Sequence, residues 1–173
     1  YGETKDITWN QSGNISAVDI KYKTATADPF NKTIVLNDTG HADGSNSYTC
    51  PVPDENSEEV WLRIYDHDNT SVYGTSAAAF SIRPNISVSS PAGGEAIEVG
   101  SGKSYDVSWS LNGSSKVSTV DIAYSTSGPG GPFDYTIASA VDATLGTQPW
   151  STVSDTISDN CYVRVIDAAT SNT

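Results

Sequence analysis

Val18-Asp19-Ile20-Lys21-Tyr22 occurs twice in this chain, returning as Val120-Asp121-Ile122-Ala123-Tyr124. A tryptophan segment precedes each copy: Asp6-Ile7-Thr8-Trp9 and Asp106-Val107-Ser108-Trp109. An arginine segment follows each copy, Val60-Trp61-Leu62-Arg63-Ile64-Tyr65-Asp66 and Cys161-Tyr162-Val163-Arg164-Val165-Ile166-Asp167. The spacing between copies is 100 from Trp9 to Trp109, 102 from Val18 to Val120 and 101 from Arg63 to Arg164. So little drift means one fold copied, with small changes in the loops. Units this long are beads rather than solenoid repeats, and each can bury a modest core. The boundary falls at Arg83-Pro84-Asn85, which gives units 1–83 and 84–173.

Apolar residues alternate over short runs broken by Gly, Pro, Asn and Asp, and helical periodicity is almost absent. That pattern predicts an all-β chain of two tandem β-sandwiches. In the first unit, strands are expected over 4–10, 17–23, 33–36, 48–52, from Val60 to Asp66, and over 78–82, with a polar loop over 37–46. Val18, Ile20 and Tyr22 should point inward and Asp19 and Lys21 outward. Val60, Leu62 and Ile64 should likewise face in, and Trp61, Arg63 and Tyr65 out. The second unit should begin with strands at Ile86–Ser89 and Ile97–Gly100, then repeat the first. The first unit has no counterpart of 86–100, and the second none of 77–82. The expectation is therefore about seven strands per unit, with terminal strands missing at both chain ends. Either these are the ends of a longer array, or neighbouring molecules supply the strands.

The chain has 173 residues, 9 basic and 21 acidic, for a net charge of −12. The first unit holds 6 basic and 12 acidic residues and the second 3 and 9. That balance argues against nucleic acid and against anionic membranes as partners. No run is apolar enough to span a membrane. The chain starts with Tyr and has no Met, so a processed product or a segment of something longer is expected. The acidic, Ser/Thr/Asn-rich surface suggests an extracellular or cell-surface setting. Cys50 and Cys161 stand at non-equivalent places, and Cys161 replaces Val60; both are expected as buried small hydrophobes.

The segments Ile86-Ser87-Val88-Ser89-Ser90-Pro91-Ala92-Gly93-Gly94-Glu95, Val107-Ser108-Trp109, Val120-Asp121-Ile122-Ala123-Tyr124 and Cys161-Tyr162-Val163-Arg164-Val165 resemble an immunoglobulin-like repeat of large secreted and cell-surface proteins. The chain is similar to the Ig-like domain of the Ser/Thr-rich, GPI-anchored cell-wall family and resembles tandem modules of bacterial and archaeal exoproteins. The first unit departs from the pattern, with Cys50 near a usual tryptophan. The resemblance implies Ig-like or fibronectin-III-like sandwiches used as spacer, adhesive or wall-associated modules. It implies no catalytic residues and no cofactor, and it makes a cysteine at 161 ordinary.

Residue chemistry offers few sites. Arg63 should pair with Asp19, and Arg164 with Asp121, as cross-strand ion pairs; the alternative is a ligand-binding arginine. Asp66, Asp68 and Asn69 gather hard oxygens that suit Ca²⁺, against the reading of a solvated hairpin turn. His41 and His67 have no motif-spaced partner and are expected in exposed loops. Gly100-Ser101-Gly102-Lys103-Ser104 lacks the first glycine of a phosphate loop. Asn10, Asn14, Asn31, Asn37, Asn69, Asn85 and Asn112 are Asn-X-Ser/Thr acceptors. Trp61, Tyr65 and Tyr162 are candidates for a contact face toward sugars or subunits. The expected role is a non-catalytic structural or adhesive module of a repetitive surface or filament-forming protein. Its partners would be copies of itself, neighbouring domains or cell-surface glycans. The alternative is a carbohydrate-binding module of a secreted hydrolase.

Overall fold

The computed structural model describes residues 3–98, 100, 102–112, 114–155 and 157–169. The chain is all-β with antiparallel sheets, and it divides into two compact units, Tyr1–Arg83 and Pro84–Thr173. No helix among the described residues is long and apolar enough to cross a membrane.

In the first unit, β1 (Thr4–Gln11) pairs with β4 (Gly44–Pro51). The second sheet runs β3 (Lys32–Thr39), β2 (Ala17–Lys23), β5 (Ser57–Asp66), β6 (Tyr73–Thr75), with β7 (Phe80–Ile82) on the first part of β5. Strand β2 is flanked on both sides, so Val18, Ile20 and Tyr22 are buried as their alternation requires. Burying an isoleucine as fully as Ile20 is worth about 2 kcal/mol. Val60 of β5 and Cys50 of β4 complete this core.

In the second unit, β8 (Ser87–Ser90), β9 (Tyr105–Ser110) and β12 (Thr147–Trp150) form one sheet in the order β12-β9-β8. The other is β11 (Tyr135–Asp142), β10 (Thr119–Ser125) and β13 (Tyr162–Asp167), in the order β11-β10-β13. Val107, Trp109 and Trp150 from the first pack with Val120, Ile122, Tyr124 and Val165 from the second, which makes a sheet-on-sheet sandwich. A 3₁₀ turn, Ala143–Leu145, starts at Asp142, whose Oδ1 accepts from Thr144 N at 2.9 Å. It delivers the Ala143 carbonyl to the Trp109 indole N–H at 3.0 Å, satisfying a buried donor.

Several boundaries differ from the sequence expectation. The polar loop shrinks to 40–43, because β3 runs on to Thr39 opposite Ala17 and β4 already starts at Gly44 opposite Gln11. Strand β6 went unpredicted, since Tyr-Gly-Thr is too short to show a period. The described residues 97, 98 and 100 are not in a strand. Strand β12 spans Thr147–Trp150 and contains Pro149, which an edge strand tolerates. Cys161 is exposed rather than buried. Its counterpart Val60 is covered because β7 pairs there, with Phe80 opposite; no described strand takes that place in the second unit.

The largest surprise concerns Asp19, which lies on the outward face with Lys21 and Tyr65 yet is covered there, at 6 % exposure. Across β2 and β3, Val18 faces Asp38 and Ile20 faces Val35, so Leu36 and Asn37 together oppose Asp19. Across β10 and β11, Val120 faces Val141 and Ile122 faces Ala138, so Ser139 and Ala140 oppose Asp121. Each is a β-bulge with its second residue left-handed, Asn37 at φ 55 and Ala140 at φ 52. Asn37 N–H donates to Asp19 Oδ1 at 2.9 Å, and Ala140 N–H donates to Asp121 Oδ1 at 2.9 Å. The repeated aspartate is a bulge clamp.

Ala140 has a Cβ in a conformation that suits Gly or Asn. Ala140→Gly should raise stability by roughly 0.5–1 kcal/mol, while Asn37→Gly should gain less because Asn tolerates this region. Thermal melts of the two variants check this, and equal shifts would count against the strain account.

Candidate functional site

The outer face of the β3-β2-β5-β6 sheet gathers most of the first unit's chemistry. Strand alternation brings Trp61, Arg63 and Tyr65 to this face, and β6 adds Tyr73 beside them. The turn before β3 contributes Phe30. The Arg63 guanidinium lies 4.0 Å from the Phe30 ring centre and 4.2 Å from that of Tyr73. Its Nε donates to Thr75 Oγ1 at 2.9 Å. Tyr65 packs on Tyr73 with centroids 5.8 Å apart. Lys21 Nζ stands 5.6 Å over Tyr65, and Lys23 Nζ 5.0 Å over Phe30. This is a cation–π array on an acidic protein.

The expected ion pairs are not made. Register places Lys21 opposite Arg63 and Tyr65 opposite Asp19, so the two charges sit diagonally. Asp19 turns instead into the bulge, where His67 Nδ1 lies 2.7 Å from its Oδ1 and Lys21 Nζ 3.9 Å from its Oδ2. In the second unit Ala123 faces Arg164 and Ile166 faces Asp121. The Arg164 guanidinium sits 4.2 Å over Phe133. The repeated arginine therefore packs under the phenylalanine of a repeated Pro-Phe pair, Pro29-Phe30 and Pro132-Phe133. Phe30, Tyr73 and Phe133 were missed as site residues; the shared Pro-Phe was visible in the sequence, but its meeting with the arginine was not.

Of the proposed contact face, Tyr65 is half-buried under Tyr73, which is itself 54 % exposed. Trp61 is half-buried with its indole N–H out of solvent and without a hydrogen bond of sound geometry. Tyr162 is exposed, at the start of β13 in the other unit.

The proposed calcium ligands turn to their own loop. Asp66 Oδ1 accepts from Asp68 N, Asn69 Oδ1 from Ser71 N, and Asp68 Oδ2 from Ser16 Oγ. Among the described residues no group of three or more His, Cys, Asp or Glu is placed to hold a metal ion. The segment joins the paired strands β5 and β6 as their turn. Both histidines have partners that the sequence reading did not assign. His41 Nε2 lies 2.9 Å from Asp38 Oδ2, and its ring meets Trp9 edge-on at 4.8 Å, so it is not an exposed loop residue. All seven acceptor asparagines are exposed. In Asn112, however, the nitrogen a glycan would need donates to Asn85 O and Ser87 Oγ.

Burial and hydrogen bonding set the remaining titrations. Burial and then the Glu55 carboxylate, which accepts from Tyr22 Oη at 3.0 Å, push the Tyr22 phenol up to about 12. Burial pushes the Cys50 thiol up, with Asp6 adding to it. Burial also pushes Asp19 up, but the Asn37 N–H, His67 and Lys21 together outweigh it and hold the carboxyl below its usual range.

Two outcomes follow from this geometry. A double-mutant cycle of Arg164→Ala and Phe133→Ala should give a coupling of about 0.5–1 kcal/mol, whereas Arg164→Ala with Asp121→Ala should give about zero; the reverse result restores the ion pair. Because folding lowers the Asp19 value, its stabilisation is complete above the ordinary value of 3.8 and lost as pH falls through the lower folded one. Urea midpoints taken with falling pH should show the advantage over Asp19→Asn shrinking in acid, and a constant gap would refute the clamp. In comparisons with protein-family models, with curated proteins and with solved structures, nothing matches this chain.

Proposed function

We propose that this chain is a non-catalytic structural or adhesive module, a segment of a repetitive extracellular protein that forms surface layers or filaments. The supporting observation is that the polar residues repeated between the units serve the frame in both. Asp19 and Asp121 clamp a bulge, and Arg63 and Arg164 pack beneath a phenylalanine. A chain copied for its chemistry would repeat reactive groups at a cleft; here the copied groups fasten sheets. In this reading its partners are copies of itself or neighbouring domains, and the Ig-like resemblance and the acidic surface agree with an extracellular place.

A second reading is a carbohydrate-binding accessory module. The exposed Tyr73 and the half-buried Tyr65 and Arg63 of the first unit favour it, since flat rings stack on sugar faces. Electron micrographs of the native material should show filaments or lattices, and separate particles would sink the first reading. A glycan array should show no saccharide that binds the chain and is lost in Tyr73→Ala; such a signal would move the assignment to the second.

A further inference from the structure

Seven asparagines stand two places before a serine or threonine, and the residue between is never proline. Serine and threonine make up 43 of the 173 residues, so chance would place one after about a quarter of the 11 asparagines. The pairing therefore exceeds what composition supplies, and the structure sorts its members. At Asn10, Asn14, Asn31, Asn37, Asn69 and Asn85, both the asparagine and the hydroxyl residue two places on are exposed. In the seventh pair Ser114 is buried, and the Asn112 amide nitrogen donates to Asn85 O at 3.1 Å and to Ser87 Oγ at 3.0 Å. Asn10 owes its exposure to strand parity rather than to an open edge, because its counterpart Ser110 is exposed with β8 paired beside it.

Resting on the reading of the chain as an extracellular module, we propose that these six asparagines carry N-linked oligosaccharides and that Asn112 stays bare. The sugar donor is a lipid-diphosphate-linked oligosaccharide, acted on by a transferase outside this chain. The amide nitrogen bonds to the anomeric carbon, and one amide proton passes to a base of the transferase. The bond from that carbon to the diphosphate oxygen breaks, its electron pair leaving on the diphosphate. The product keeps one N–H. Asn112 donates twice, so a sugar there would cost one of the two bonds that tie it to β8 and the residues before β8. At the other six positions a bulky, solvated sugar meets water. Four of the six ring one end of the first unit. Asn10 pairs with Ser45 near the start of β4, and Asn37 is the bulge residue that donates to Asp19. The turns of Asn14 and Asn69 touch, since Ser16 Oγ donates to Asp68 Oδ2 at 3.1 Å and His67 N–H to the Ala17 carbonyl at 3.0 Å. Asn69 Oδ1 also accepts from Ser71 N at 3.2 Å, which holds the acceptor and its hydroxyl residue in one tight turn. That end would be wrapped in sugar, leaving the unit's other surfaces for contacts between copies.

Peptides from the native material, fragmented by electron transfer so that any sugar stays on its residue, test this. Oligosaccharide should be found on each of the six asparagines and none on Asn112. Bare asparagine at most of the six, Asn112 occupied as fully as they are, or sugar only on serine and threonine would each overturn the proposal. A second measurement follows the whole chain secreted from a cell that transfers N-linked sugar. Thr33→Ala and Ser71→Ala change only exposed side chains, and each should lower the glycan mass by one oligosaccharide. Ser71→Thr and Asn112→Gln should leave the glycan mass unchanged. A glycan mass unmoved by both alanine variants, or lowered by Asn112→Gln, would also overturn the assignment. Filaments built from bare chains would remove the glycan proposal alone; glycosylated chains that stay as separate particles would remove the module reading alone.

Discussion

An aspartate on an inner strand of a sheet, bonded into a bulge of the neighbouring strand, is the constraint on which the rest of each unit depends. An ionised aspartate withdrawn from water is costly unless its oxygens are bonded, and here one oxygen accepts the N–H that a bulge leaves unpaired. The exchange is mutual. The bulge needs an acceptor at that point, and the aspartate needs a donor. Because two residues of the neighbouring strand must oppose one, the register of β3 on β2 and of β11 on β10 is set on both sides of the clamp. A one-residue slip would bring the outward face of β2 into the core and remove the acceptor together. The bulge also bends its strand, which helps each short sheet curve over the other.

The arginines show how neighbouring geometry decides between two electrostatic partners. Asp19 and Arg63 lie on adjacent strands and carry opposite charge, yet they are offset by two residues in register. An exposed ion pair at that offset would gain a few tenths of a kcal/mol at most. The aromatic ring over the guanidinium offers contact area as well as attraction, and it arrives on a turn already bent by proline. With the aspartate drawn into the bulge, the arginine and the ring are left to each other. The same division in both units makes it a property of the repeated frame rather than of one loop.

Much of this frame was legible from alternation and duplication. The order of strands, the unit boundary at Arg83 and the burial of Val18, Ile20 and Tyr22 follow from period two and from the repeat. The burial of Asp19 did not, because alternation says which face a side chain takes and not that a bulge of β3 and His67 will cover it there. His67 is 48 residues from Asp19 in sequence, and their meeting has no local signal. His41 and Asp38 are three apart and were open to detection, but only the passage from β3 in one sheet to β4 in the other brings the histidine onto Trp9. Cys161 was misjudged for a related reason: strand parity says which way a side chain points, and burial depends on what lies across from it.

Sulfur is scarce in this molecule, with two cysteines and no methionine. One of the two thiols is enclosed between sheets with its ionisation suppressed, and the other stands at the surface. Oxidants that attack thiolates thus meet one point of entry in 173 residues, and thioether damage to the cores cannot occur at all. Oxidation of sulfur therefore reaches the interior of either sandwich only if Cys50 is uncovered.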